Sequence, residues 1–292
     1  MVRKASIFRD EPPALRAGIE ATEEQRTFRA GIPIPEGAGD VSWEIAANVD
    51  CLVASVPQPR CRIVHMHGGG YFCGSAAHYA EFATRLAQAI EAEIWVPDYC
   101  LAPENPFPAA VRQMIAVIDV LADHPCPLPI FLSGDSAGGG LALALASIMR
   151  RPLPVAGILM LSPWVDMTIT SDGYSRCAQS DLLFSQEAAE NAAKWYLQGE
   201  DSRHPLASPL FADLSGLPPV TILVASDEVL ADDALALANR MLVSGVQFQL
   251  VAVPGVAHVW PVLNPDSVAS IDADRTLRHF VDLALEGRQP LR

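Results

Sequence analysis

The stretch "PIFLSGDSAGGGLALALA" (residues 129–146) joins a short apolar run, a Gly-x-Ser-x-Gly turn and a helix-like run of small residues without a spare position. A serine held on so sharp a turn exposes its hydroxyl. The turn closes only if the residues two before and two after, Gly134 and Gly138, carry almost no side chain. The opening turn of the helix behind it aims backbone N–H groups at the same point. Strand, nucleophile elbow and helix in that order make Ser136 the candidate nucleophile.

The surrounding rhythm agrees with a sheet covered by helices. "VSWEIAAN", "CLVAS" and "RCRIVHM" read as three strands, an antiparallel opening to a sheet. Beyond them, helix-like stretches near 78–91, 106–122, 138–150, 232–244 and 266–285 alternate with the apolar runs "EIWVPDY", "PIFLSGD", "VAGILMLSP", "VTILVAS" and "FQLVAVPG". Such alternation calls for an α/β chain with a mostly parallel sheet and helices on both faces. The rhythm fails between "SPWVDMT" and "VTILVAS", where residues 166–212 include the amphipathic "SQEAAENAAKWYLQG". A helical cap over one end of the sheet is expected there, with residues 1–40 as an arm lying on the core. At 292 residues the whole is read as one domain.

Ligands of such sheets bind beyond the carboxyl ends of the strands, so the residues just after each apolar run are the informative ones. A serine hydroxyl needs a base, and His258 in "VAVPGVAHVWP" follows the last apolar run and a Pro-Gly break. The base needs a carboxylate to hold its tautomer, and "ILVASDEVLADDA" offers four. Asp227, nearest the strand end, is the first choice and Glu228 the second; Asp232 and Asp233 read as the cap and first turn of the next helix. A carbonyl attacked by Ser136 becomes an oxyanion, and backbone N–H groups approach it closely only where no Cβ intervenes. "HGGG" (67–70) is therefore read as the oxyanion loop, with Gly68 and Gly69 donating beside Ala137. His67 is expected to shape this loop. His65 and His67 share one strand face, but no third ligand accompanies them, so no metal is expected.

These residues resemble the hormone-sensitive-lipase-like (bacterial family IV) carboxylesterases of the α/β-hydrolase superfamily. The resemblance rests on "HGGGYFCGS", "DYCLAPENPFPAA", "GDSAGGGLALA", "LSPWVDM", "SDEVLADD" and "HVW". It implies the α/β-hydrolase fold, an eight-stranded sheet, a two-part cap from the N-terminal arm and the insertion before the seventh strand, and no cofactor. By motif position it makes Ser136 nucleophile, Asp227 acid, His258 base, and Gly68, Gly69 and Ala137 oxyanion donors. The chain order Ser, Asp, His is that of an α/β hydrolase. Cys100 and Gly140 depart from the family's usual arginine and asparagine. The implied activity is hydrolysis of short- to medium-chain carboxylic esters through an acyl-enzyme, with lactones, amides or ligand binding without turnover as alternatives.

A net charge of −14 argues against nucleic acid and anionic membrane partners and leaves small uncharged or cationic molecules. The N-terminus shows no secretory pattern, no apolar stretch reaches membrane-span length, and six cysteines are scattered without metal-binding spacing. A cytoplasmic protein with reduced thiols and no stable membrane association is expected. A homodimer is compatible with all of this.

Overall fold

The computed structural model describes residue 15 and residues 17–32, 40–149 and 155–287. Of the arm expected over residues 1–40, residues 1–14, 16 and 33–39 lie outside these.

Eight strands form one sheet: β1 (Val41–Ala46), β2 (Val49–Ser55), β3 (Arg62–Met66), β4 (Glu93–Pro97), β5 (Ile130–Asp135), β6 (Val155–Leu161), β7 (Val220–Ala225) and β8 (Phe248–Val253). Their spatial order is β1-β2-β4-β3-β5-β6-β7-β8. Pairs β1/β2 and β2/β4 are antiparallel, and all others are parallel. The antiparallel opening therefore stops at β2. β3 does not pair with β2; it runs parallel between β4 and β5. Its five residues are all buried, so the strand suits the sheet's interior.

Successive side chains of the central strands enter opposite cores, as the two-residue strand period requires. Val64, Leu132, Ile158 and Ile222 face one apolar cluster, and Ile63, Phe131, Leu159 and Leu223 face the other. The first cluster is covered by α3 (Ala109–Ala122), α4 (Ala137–Ile148) and α7 (Ala231–Val243), the second by α2 (Ala80–Ile90) and α9 (Val268–Leu285). Each such aliphatic side chain contributes about 1.5–3 kcal/mol on burial. Every residue of α4 is buried, which explains its small-residue composition: large side chains would hold it away from the sheet.

Two further segments pack at the sheet's carboxyl edge. α1 (Glu23–Gly31) begins with a reciprocal Thr22/Gln25 capping box. Arg29 anchors it, its Nε donating to Phe72 O at 2.6 Å and its guanidinium pairing with Glu104 at 2.7 Å. In the 166–212 insertion, α5 (Gly173–Arg176) is followed by α6 (Gln186–Leu197), capped by Ser185. α6 buries Ala189, Ala192, Ala193, Tyr196 and Leu197, and Tyr196 stacks on Tyr71 with centroids 4.0 Å apart. The short α8 (Trp260–Leu263) lies between β8 and α9.

Candidate active site

The parallel register aligns the strand ends that matter. Met66 pairs with Gly134, Asp135 with Leu161, Leu161 with Leu223, and Ala225 with Val253. The loops leaving these residues, with His67–Gly70, Ser136, Ser162, Glu228 and His258, thus issue from one edge of the sheet.

Ser136 lies between β5 and α4 with φ 51° and ψ −122°, outside the regions L-residues ordinarily occupy. The flanking glycines permit it. A Cβ at Gly134 would lie 2.2 Å from Gly138 O, and one at Gly138 would lie 2.0 Å from Met66 O. Two backbone bonds hold the turn: Ser136 N–H to Leu161 O and Trp164 N–H to Ser136 O, both 2.9 Å. Positive φ recurs at Ser162 (47°) and at Val259 (50°), where a β-branched residue is seldom found. Strain of order 1–3 kcal/mol per such residue persists only where the surroundings over-determine it.

His258 is buried, and its Nδ1 lies 3.2 Å from Glu228 Oε2. The same oxygen accepts the Ser162 hydroxyl at 2.8 Å, while Ser162 Oγ accepts the Val259 N–H at 3.1 Å. Burial by itself lowers the affinity of His258 for a proton, but the surrounding carboxylates, Glu228 foremost with Asp181 and Asp135, together more than offset this and its pKa is raised. Asp227, the first choice from the sequence, does not face the imidazole. Its carboxylate is exposed and accepts the Gly255 N–H at 3.1 Å. One residue along, the chain turns inward and Glu228 is the carboxylate against His258. Ser136 and His258 are not hydrogen-bonded to each other. The segment 161–164 connects them, binding the Ser136 backbone at both ends and the Glu228–Val259 pair through Ser162.

Gly68 also departs from expectation. Its N–H points away from the serine, to Asp135 Oδ1 at 2.9 Å and the Tyr79 hydroxyl at 2.8 Å. The N–H groups of Gly69, Gly70 and Ala137 have no protein acceptor among the described residues. Gly70 thus joins Gly69 and Ala137 as an available donor, and Gly68 serves the loop's scaffold. Asp135 is the centre of that scaffold, accepting Tyr79 O–H at 2.9 Å and meeting His65 Nε2 at 3.1 Å. His65 Nδ1 meets Ser133 Oγ at 2.9 Å, so both ring nitrogens are engaged within the protein. His67 stacks on Tyr99 at 4.2 Å, its Nδ1 2.7 Å from Gly68 O. Burial lowers its pKa, leaving it a neutral spacer of the loop. Cys73 donates its thiol to Gly69 O at 3.2 Å, and burial pushes that thiol up to about 11.

Two contributors escaped the sequence reading. Ser162 carries a weak signal, being the first polar residue after β6. Phe184, in the insertion, stacks on His258 at 5.8 Å and 13°, and its edge contact with Trp164 is at 5.5 Å. Nothing in its irregular surroundings marks it. Of the aromatic residues near the motifs, Trp260 is absorbed by the apolar core, and Tyr71 is buried against Tyr196 of α6.

A strained serine on an elbow, an imidazole and carboxylate pair, and unpaired glycine N–H groups at the edge of this sheet define an α/β hydrolase. The model of the family described as alpha/beta hydrolase fold, Abhydrolase_3, matches residues 63–262, and the chain belongs to that family. An acetyl-hydrolase of Streptomyces hygroscopicus is 38% identical over 207 residues, covering 70% of this chain and 69% of its own. The crystal structure of EstE5-PMSF superposes with a TM-score of 0.82 at 33% identity, covering 92% of this chain and 94% of that one. That of an esterase from the bacterial hormone-sensitive lipase family gives 0.80 at 34% identity, covering 88% of each. The resemblance to hormone-sensitive-lipase-like esterases that the motifs carry therefore holds for the fold as a whole.

Proposed function

We propose that the chain is a serine carboxylesterase that hydrolyses short- to medium-chain carboxylic esters through an acyl-enzyme. Ser136 attacks the ester carbonyl, and His258 Nε2 takes its proton and passes it to the departing alcohol. Glu228 holds Nδ1 protonated and stabilises the imidazolium. The N–H groups of Gly69, Gly70 and Ala137 receive the oxyanion, each such donor being worth about 3–4 kcal/mol to the transition state. Water activated by the same imidazole then releases the acid. The observation that carries this reading is the Glu228–His258 pair at 3.2 Å, issuing from the same edge of the sheet as a serine held at φ 51°. The relatives named esterase and acetyl-hydrolase support the substrate class.

The arm carrying α1 and the insertion carrying α6 form the cap in this reading. A cytoplasmic setting is proposed with it, supported by six free cysteines. Among the described residues no helix is long and apolar enough to cross a membrane.

Purified protein assayed on p-nitrophenyl esters of increasing acyl length, on cyclic lactones and on anilides tests the proposal. The expected result is kcat/KM highest for short to medium esters. Preference for lactones or anilides contradicts the ester assignment, and binding without turnover contradicts hydrolysis altogether.

A further inference from the structure

The cap segment before α6 reaches the catalytic cluster through one carboxylate. Asp181 Oδ1 accepts the N–H groups of Leu183 and Phe184, both at 3.0 Å, folding the chain back on itself. That fold sets the Phe184 ring nearly parallel to the imidazole of His258, with centroids 5.8 Å apart. Asp181 Oδ2 accepts the Val229 N–H at 3.0 Å, while the neighbouring Ser180 hydroxyl donates to Asp227 O at 2.7 Å. Residues 227 and 229 flank Glu228, so its backbone is tied on both sides to the cap. The turn and the His258–Glu228 pair also line one cavity of about 320 Å³.

We infer that Asp181 is a positioning residue, a latch by which the cap sets the orientation of the His258 ring and the reach of Glu228. The inference rests on the proposed esterase reading. An apolar ring face restricts rotation of the imidazole without competing for either nitrogen, and the Val229 tie stops the acid loop from drifting outward. The latch also contributes charge. The groups facing His258 are Glu228 at Nδ1, Asp181 from the cap and Asp135 from the elbow, with Asp227 lining the shared cavity. Glu228, Asp181 and Asp135 each favour the imidazolium, so removing any of these three reduces its stabilisation.

Two variants separate the latch's roles. Asp181→Asn keeps the turn through its one carbonyl oxygen but loses the charge and the acceptor for the Val229 N–H; Asp181→Ala loses all three. NMR titration of His258 in full-length protein should give a lower midpoint in Asp181→Asn than in wild type, a readout independent of turnover. Steady-state kinetics on a short p-nitrophenyl ester should show kcat falling at least tenfold in Asp181→Ala with KM little changed, and the part of the loss due to the turn recovered in Asp181→Asn. An unchanged His258 midpoint in Asp181→Asn, or wild-type kcat in folded Asp181→Ala, overturns the inference. If Asp181→Ala does not fold, Phe184→Leu replaces it, with the same drop in kcat expected and wild-type kcat overturning. Failure of wild type to hydrolyse any ester strikes the esterase reading itself, whereas active wild type with indifferent Asp181 variants strikes only the latch.

Discussion

The carboxylate of Asp135 accepts the Gly68 N–H at 2.9 Å, so the residue preceding Ser136 carries the loop that approaches it from the neighbouring strand. The proposed nucleophile and the proposed oxyanion donors are thereby built as one unit. The Asp135→Ala variant strands two polar groups in the interior, the Tyr79 hydroxyl proton and His65 Nε2, and leaves the Gly68 N–H only the Tyr79 oxygen. Each costs about 1–3 kcal/mol if left unsatisfied. Chemical denaturation should show that loss, and kcat should fall about a hundredfold as the donors drift from the oxyanion position. Wild-type kcat in this variant would mean that the loop is held by other means.

Glu228 and Asp227 are adjacent, yet only Glu228 reaches the imidazole. Glu228→Gln should lower kcat by roughly 10²–10⁴, the range expected when the orienting carboxylate of a catalytic histidine is neutralised. Asp227→Asn should stay within about threefold of wild type, since its side chain is exposed and bonded to the Gly255 N–H. Steady-state kinetics on one ester compares them, and the reverse ranking would restore Asp227 as the acid.

The pH dependence follows from His258. The proposed base must be neutral, and its pKa is raised above the ordinary 6.5 because Glu228, with Asp181 and Asp135, outweighs the effect of burial. Activity should therefore fall, as pH decreases, with a midpoint above 6.5, and Glu228→Gln should move that midpoint down. Stability runs the other way. A folded-state pKa above the unfolded one favours the protonated native state, so this contribution is complete below the unfolded value and fades as pH rises through the folded one. A kcat/KM profile, with denaturant unfolding over the same interval, measures both.

Asp233 gives a second linkage far from turnover. It is buried in α7, and burial, with Asp166 and Asp232 nearby, raises its pKa from 3.8 to about 7. The folded protein holds this proton more tightly than the unfolded chain, so stability should decline as pH climbs from 3.8 through about 7. Asp233→Asn should flatten that slope. Identical slopes in urea unfolding of wild type and variant would contradict it.

Much of this architecture is legible in the sequence, for reasons particular residues make plain. β5 and α4 are read from the elbow because a Cβ at Gly134 would run into Gly138 O and one at Gly138 into Met66 O. The central strands are read from apolar runs bounded by turn residues. The order in which they pair is not, because β3 resembles any other short buried strand and its place between β4 and β5 is decided by packing. At the site, residue type was legible and direction was not. Whether Asp227 or Glu228 turns inward, and whether Gly68 or Gly70 presents its N–H, depends on single peptide orientations set by partners such as Asp135, Tyr79 and Ser162. Gly140 is explained only by the fold: a Cβ there would lie 2.2 Å from Trp164 O. Phe184 left no trace, since its contact with His258 is made by a turn without periodicity.

Covalent labelling of the active protein with a fluorophosphonate, followed by peptide mapping, addresses the central claim most directly. The account predicts one adduct, on the Ser136 hydroxyl, forming in step with the loss of ester hydrolysis and absent from Ser136→Ala. An enzyme that loses activity with the label on another residue, or that keeps hydrolysing esters with Ser136 fully modified, would contradict it.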